Sequence, residues 1–161
     1  MSKSRPIQWM AVLAFALTLP VYLLTMNRTI GFIDRGELAA TAYTLGVPHP
    51  TGYPTLTALG FAVSHLVPLR PVLVLNGFAA VLVAMGVAMC VLLFDELLRR
   101  VRPVDLDERK RSQLALLASL MVGLSATWWH QANGFEVYSL HIVFVPLVCL
   151  LCLRWIAVGN L

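Results

Sequence analysis

The sequence predicts an all-α integral membrane protein, with about four transmembrane helices and a helical loop lying on the membrane surface. Three observations predict it. Of 161 residues, 59% are hydrophobic and only 12% are charged, more apolar material than a soluble core of this size needs. The apolar residues gather in four long runs that approach or exceed the roughly 17–25 residues a spanning helix requires. The basic residues gather at the ends of those runs, so the net charge of +4 bears on topology and gives no basic, aromatic-laced stripe of the kind that binds nucleic acid.

The first run, 7–26, follows Lys3 and Arg5. It is too long for a signal-peptide core and lacks a small-x-small cleavage site before Asn27, so it reads as an uncleaved first span. The other runs are 72–98, 114–129 and 137–156. A further apolar stretch, 53–67, is about 15 residues long and is punctuated by Pro54 and Pro68, which suits an interfacial or re-entrant helix as well as a span. Charge decides between these. If 53–67 does not cross, then Lys3, Arg5, Arg99, Arg100, Arg102, Arg109, Lys110, Arg111 and Arg154, nine of the 12 basic residues, share one face; if it crosses, the bias collapses. The positive-inside rule therefore favours four spans in a multi-pass protein of the cytoplasmic (inner) membrane, with both termini cytoplasmic. The whole of 1–161 reads as one transmembrane domain. Residues 27–71 form an outer loop, and 99–112 form a solvated cytoplasmic loop in which Arg102 and its basic neighbours are mixed with Asp105, Asp107 and Glu108.

Within the spans, Pro20 and Pro146 are expected to kink their helices. Asn76 is expected to hydrogen-bond across helices, and the small residues Gly77, Ala79, Ala80, Ala84, Gly86 and Ala88 suit close helix packing, including packing against other membrane protein chains. Cys90, Cys149 and Cys152 fall in apolar runs and read as packing residues, not as a disulfide or metal site. His65 and His141 lie in or near apolar helices, where a haem- or chlorophyll-type metal would be their functional use, but no paired spacing supports one. Asn27-Arg28-Thr29 is a formal glycosylation triplet that abuts the membrane.

The chemistry-bearing residues sit outside the spans. Asp34 and Glu37 are three apart and would share a helix face, where neighbouring carboxylates push their pKa values apart and one can act as a general base. Asp34 as an N-cap, with Glu37 completing a capping box, accounts for the same spacing. The helix they would begin, 37–45, is stopped by Gly46-Val47-Pro48. Arg35 and His49 suit a phosphate at the membrane surface, although an arginine snorkelling to lipid headgroups also fits. In the second outer turn, Trp128, Trp129 and Tyr138 suit an interfacial aromatic belt. Glu136 stands at the start of a span, where a helix amino terminus favours an anion.

Asp34-x-Gly36-Glu37-Leu38-x-x-x-Ala42-x-x-Leu45-Gly46-Val47-x-His49-Pro50-x-Gly52-Tyr53-Pro54 after a first span resembles the bacterial relatives of animal protein O-mannosyltransferases of the plexin-modifying kind, within the GT-C superfamily of polytopic glycosyltransferases. Trp128, Ala132, Glu136, Val137, Tyr138, Leu140 and His141 match that family's second outer turn. The resemblance implies the amino-terminal part of a GT-C fold and an inverting transfer from a polyprenyl-phosphate sugar at the outer membrane face. It implies Asp34 as the base and Glu37 as the second carboxylate, with Arg35, His49, Tyr53, Glu136 and Tyr138 binding donor or substrate. It leaves open whether a divalent metal takes part; the lipid-linked sugar is the donor, and no other cofactor is implied. Family members are much longer. The chain is therefore expected to be part of such an enzyme or, alternatively, a truncated relative held as a structural subunit with other membrane protein chains in a respiratory or photosynthetic complex.

Overall fold

The computed structural model of the chain describes residues 5–50, 52–101 and 106–158. Among them there are seven helices and no strand: α1 Arg5–Thr25, α2 Asp34–Thr44, α3 Pro54–Leu66, α4 Pro71–Arg100, α5 Glu108–Gly123, α6 Ala126–Ala132 and α7 Val137–Val158. Three are long and apolar enough to cross a membrane, over Pro6–Thr25, Pro71–Arg100 and Val137–Ile156. These are the expected first, second and fourth spans. At 13 residues, α3 spans only about 20 Å at 1.5 Å per residue, too short for a hydrocarbon core.

The expected third span, 114–129, takes a different form. Its helix begins at Glu108 and stops at Gly123, and α6 leaves at a bend of 70°. The cause lies in the packing. A Cβ on Gly123 would press on the Val87 side chain, so only glycine lets α5 approach α4 there. The buried Tyr22 hydroxyl donates to the Gly123 carbonyl at 2.6 Å, taking an acceptor that the ended helix leaves free.

α4 is the central element, packed against α1, α5 and α7 and touched by α2, α3 and α6. The small residues expected to mediate helix packing serve inside the chain. Ala79, Ala80, Ala84, Gly86 and Ala88 are buried, and Gly86 lies directly against Ile142 of α7. Small residues let two helix backbones approach closely where lipid supplies no hydrophobic drive. Pro20 and Pro146 lie inside α1 and α7, each of which continues as one helix.

The far end of α4 is held by charge. Glu96 pairs with Arg99 at 2.6 Å and Arg100 at 2.8 Å, Asp95 pairs with Arg111 at 2.9 Å, and Arg100 donates to the Leu153 carbonyl. The loop expected to be solvated thus contributes three arginines to ion pairs. Lys3, Arg102 and Asp105 lie outside the described residues.

Candidate functional site

The other end of α4 carries α2, α3 and the turn between α6 and α7. Leu38 and Ala42 of α2 are buried together with Leu56 of α3, Leu75 of α4 and Phe135 of the turn. Gly60 sits where these meet; a Cβ there would stand 2.9 Å from both Ala42 and Phe135. α2 begins at Asp34, three residues earlier than the sequence suggests, and ends at Thr44. Asp34 is its first residue, not its cap. Ile33 occupies the cap position at φ 58 and ψ −130, with no side-chain cap hydrogen bond. Leu45 ends the helix in the left-handed region at φ 53, one residue before Gly46, and Tyr53 lies at φ 40. Leu45 and Tyr53 bracket the loop after α2 and Ile33 precedes the helix; non-glycine residues at positive φ are uncommon, and such conformations gather at functional sites.

That loop folds His49 back onto α2. The His49 backbone N–H donates to Glu37 Oε1 at 2.7 Å, and its Nδ1 lies 2.9 Å from Glu37 Oε2. Both oxygens of Glu37 are therefore engaged by one residue. Tyr53 stands edge-on to the His49 ring at 5.7 Å between centroids. The side-chain hydrogen bond from His49, helped by its backbone N–H, holds the Glu37 carboxyl below the ordinary carboxylate range. The same bond, chiefly, raises the His49 imidazole above its usual value. Asp34 is exposed, and no hydrogen bond engages its carboxylate among the described residues. Its oxygen, one from Glu37 and a nitrogen of His49 lie within 4.8 Å of one another. Two carboxylates and one imidazole would suit a divalent cation.

Arg35 turns elsewhere. Its Nε lies 3.4 Å from Glu136 Oε1, and its guanidinium lies 3.2 Å from His130 Nδ1 and donates to the His130 carbonyl at 3.2 Å. Asp34, Glu37, His49 and Tyr53 thus form one group, and Arg35, Glu136 and His130 another. His130 carried no separate signal in the sequence; its partner lies 95 residues away.

Tyr138 belongs to neither group. It lines a groove of about 400 Å³ between α4, α5, α6 and α7, with Cys90, Phe94, Trp128, Gln131 and His141. The Gln131 amide oxygen is buried there without a hydrogen-bond partner among the described residues. His65 stacks on Tyr43 of α2 at 4.8 Å and lies 4.2 Å from Phe61, so it joins α2 to α3. The three cysteines are free, with Cys90 buried and the other two exposed.

Comparison with known proteins gives these groups a family. A mouse protein O-mannosyl-transferase TMEM260 is 31% identical over 145 residues, 90% of this chain and 19% of that protein. A Dictyostelium discoideum protein O-mannosyl-transferase tmem260 is 40% identical over 57 residues, 35% of this chain and 7% of that protein. The chain therefore spans only a small part of the length of the curated relatives it matches. No solved structure matches significantly. Residues 34–160, which begin at Asp34 itself, match the family described as the protein O-mannosyl-transferase TMEM260 N-terminal domain, and the chain belongs to that family.

Proposed function

We propose that the chain forms the acceptor-activating part of a GT-C-type membrane glycosyltransferase. It would move a sugar, mannose by analogy with the named relatives, from a polyprenyl phosphate to a hydroxyl at the outer membrane face. One observation carries this reading. Asp34 presents an exposed carboxylate with no hydrogen-bond partner among the described residues, beside a Glu37 whose two oxygens are both taken by His49. A carboxylate free to accept a proton is what a general base must be.

In the proposed reaction the acceptor oxygen attacks the anomeric carbon and gives its proton to Asp34. The bond to the phosphate oxygen breaks, and the polyprenyl phosphate leaves with the electron pair. A single displacement inverts the anomeric configuration. Glu37 favours the protonated form of the His49 imidazole, and that form would stabilise the charge developing on the departing phosphate. The groove at Tyr138, lined mainly by apolar side chains such as Leu93, Phe94 and Val145, with Gln131 and His141 among them, supports a lipid-linked donor, because an apolar groove accepts a hydrocarbon chain at little desolvation cost. The inner-membrane location and cytoplasmic termini rest on the distribution of lysine and arginine. The two ends of α4 fit that topology, with the acidic site at one end and the arginine cluster at the other.

The test is transfer from radiolabelled polyprenyl-phosphate mannose to a serine- and threonine-containing peptide, by the protein purified at its natural length in lipid nanodiscs. Glycosylated peptide of inverted configuration supports the proposal. A protein that binds the donor and acceptor yet transfers nothing overturns it.

A further inference from the structure

Arg35 is adjacent to the proposed base but does not face the same space. On an α-helix adjacent residues point about 100° apart, whereas residues i and i+3 share a face. Asp34 and Glu37 therefore look one way and Arg35 another. Only 10% of the Arg35 side chain and 19% of the Glu136 side chain are exposed. The guanidinium is enclosed by two glycines. A Cβ on Gly134 would stand 2.9 Å from a guanidinium nitrogen, and one on Gly31 would stand 2.6 Å from Arg35 Cδ. Such enclosure, with Glu136 and His130 already in place, leaves poor access for a substrate phosphate.

The turn that receives Arg35 is itself fastened. The Phe135 N–H donates to Asn76 Oδ1 at 2.9 Å, and Asn76 Nδ2 donates to the Asn27 carbonyl at 2.9 Å. The Asn27 N–H donates to the Asn133 carbonyl at 2.9 Å. The end of α1, the body of α4 and the α6–α7 turn are thus one braced unit. α2, by contrast, is 11 residues long, too short to be firm alone, and it follows the unfavourable backbone of Ile33.

We propose that Arg35 is a positioning residue, a bolt that ties the first turn of α2 to the braced α6–α7 turn through Glu136 and His130 and so sets where the Asp34 and Glu37 carboxylates stand. This rests on the reading of Asp34 as the base. It assigns Arg35 and Glu136 a role other than donor binding. Releasing the bolt lets both carboxylates swing together, and a misplacement of about 1 Å costs on the order of 100-fold in rate.

The test is a double-mutant cycle of Arg35→Met and Glu136→Ala in the natural-length protein, with Arg35→Lys as the conservative variant. Each single change is expected to lower kcat by about 10- to 100-fold, with the donor KM almost unchanged. The double variant should be no worse than the poorer single one, and Arg35→Lys should recover part of the rate. A raised donor KM at unchanged kcat, or independent effects that multiply, overturns the bolt in favour of a phosphate ligand. Hydrogen–deuterium exchange separates this inference from the reading beneath it. Residues 34–44 should exchange at least about tenfold faster in both single variants, whether or not the protein transfers sugar. Unchanged exchange there overturns the bolt even in an active enzyme.

Discussion

Replacing Asn76 with alanine should destabilise the protein by about 2–4 kcal/mol, and the figure follows from what its amide holds. Asn76 is 5% exposed and Phe135 is 1% exposed. Alanine leaves the buried Phe135 N–H without an acceptor, a loss of about 1–3 kcal/mol for an orphaned buried donor. It also removes the donor to the Asn27 carbonyl. Asn27 is only half-buried, so water can replace that partner and the loss is that of an ordinary hydrogen bond, about 0.5–1.5 kcal/mol. The third contact, to the Thr29 carbonyl at 3.5 Å, is too long to add much. Reversible unfolding in mixed micelles, followed by helical circular dichroism, measures the difference. Because the same amide braces the turn that receives Arg35, the variant should also lose transfer activity at temperatures where it remains folded. A loss of stability below about 0.5 kcal/mol, the size expected of an unengaged surface site, would refute the reasoning.

Three further outcomes follow from the same packing and charges. Tyr22→Phe removes the hydroxyl that satisfies the Gly123 carbonyl and should cost about 1–3 kcal/mol; an unchanged unfolding midpoint would show that this bond does not hold the break in place. Gly60→Val drives methyl groups into Ala42, Phe135 and Leu75 and should cost about 1–3 kcal/mol while spreading α2 from α3; the loss of the Tyr43–His65 stack, seen in the ring proton shifts, is its marker. The Glu37–His49 pair makes a pH prediction. The imidazole is raised above 6.5 and the carboxyl lowered below 4.5. The contribution from Glu37 is therefore present above pH 4.5 and lost as pH falls through its lowered value. That from His49 is present below pH 6.5 and lost as pH rises through its raised value. The loop should be held most firmly between pH 4.5 and 6.5. Titration of His49 by nuclear magnetic resonance should give a midpoint above 6.5 that falls in Glu37→Gln; a midpoint unmoved by that change would contradict the pairing.

Much of the architecture is legible in the sequence because lipid imposes it. Helix length against bilayer thickness acts over whole segments, so three helices able to cross a membrane, and an α3 too short to do so, follow from composition alone. The acidic loop is legible for a different reason. Asp34, Glu37, His49 and Tyr53 lie within 20 positions, and a short chain folded on itself brings near neighbours together. What the sequence conceals depends on single contacts between distant residues. The break after Gly123 falls inside an unbroken apolar run, and its causes are Val87 and Tyr22 on other helices. The capping box that the Asp34–Glu37 spacing suggests does not form, because Ile33 takes the cap position and His49 takes both oxygens of Glu37. Arg35 and Glu136 meet although 101 residues separate them, and neither residue's surroundings in the sequence announce the other. Gly31 and Gly134, which make room for it, are recognisable only once the arginine is placed. The small residues of α4 announce close packing correctly, but the partners they meet are helices of the same chain.

The reading of Asp34 as the base is tested most directly by the turnover of Asp34→Asn. The substitution keeps the side chain's shape, removes its basicity and breaks no hydrogen bond among the described residues. Transfer from the polyprenyl-phosphate sugar should fall by at least about 100-fold, the lower end of what a general base contributes, while membrane insertion, unfolding midpoint and donor binding stay as in the unaltered protein. Turnover within a few-fold of the unaltered protein would contradict the assignment and move the search for the base to Glu37.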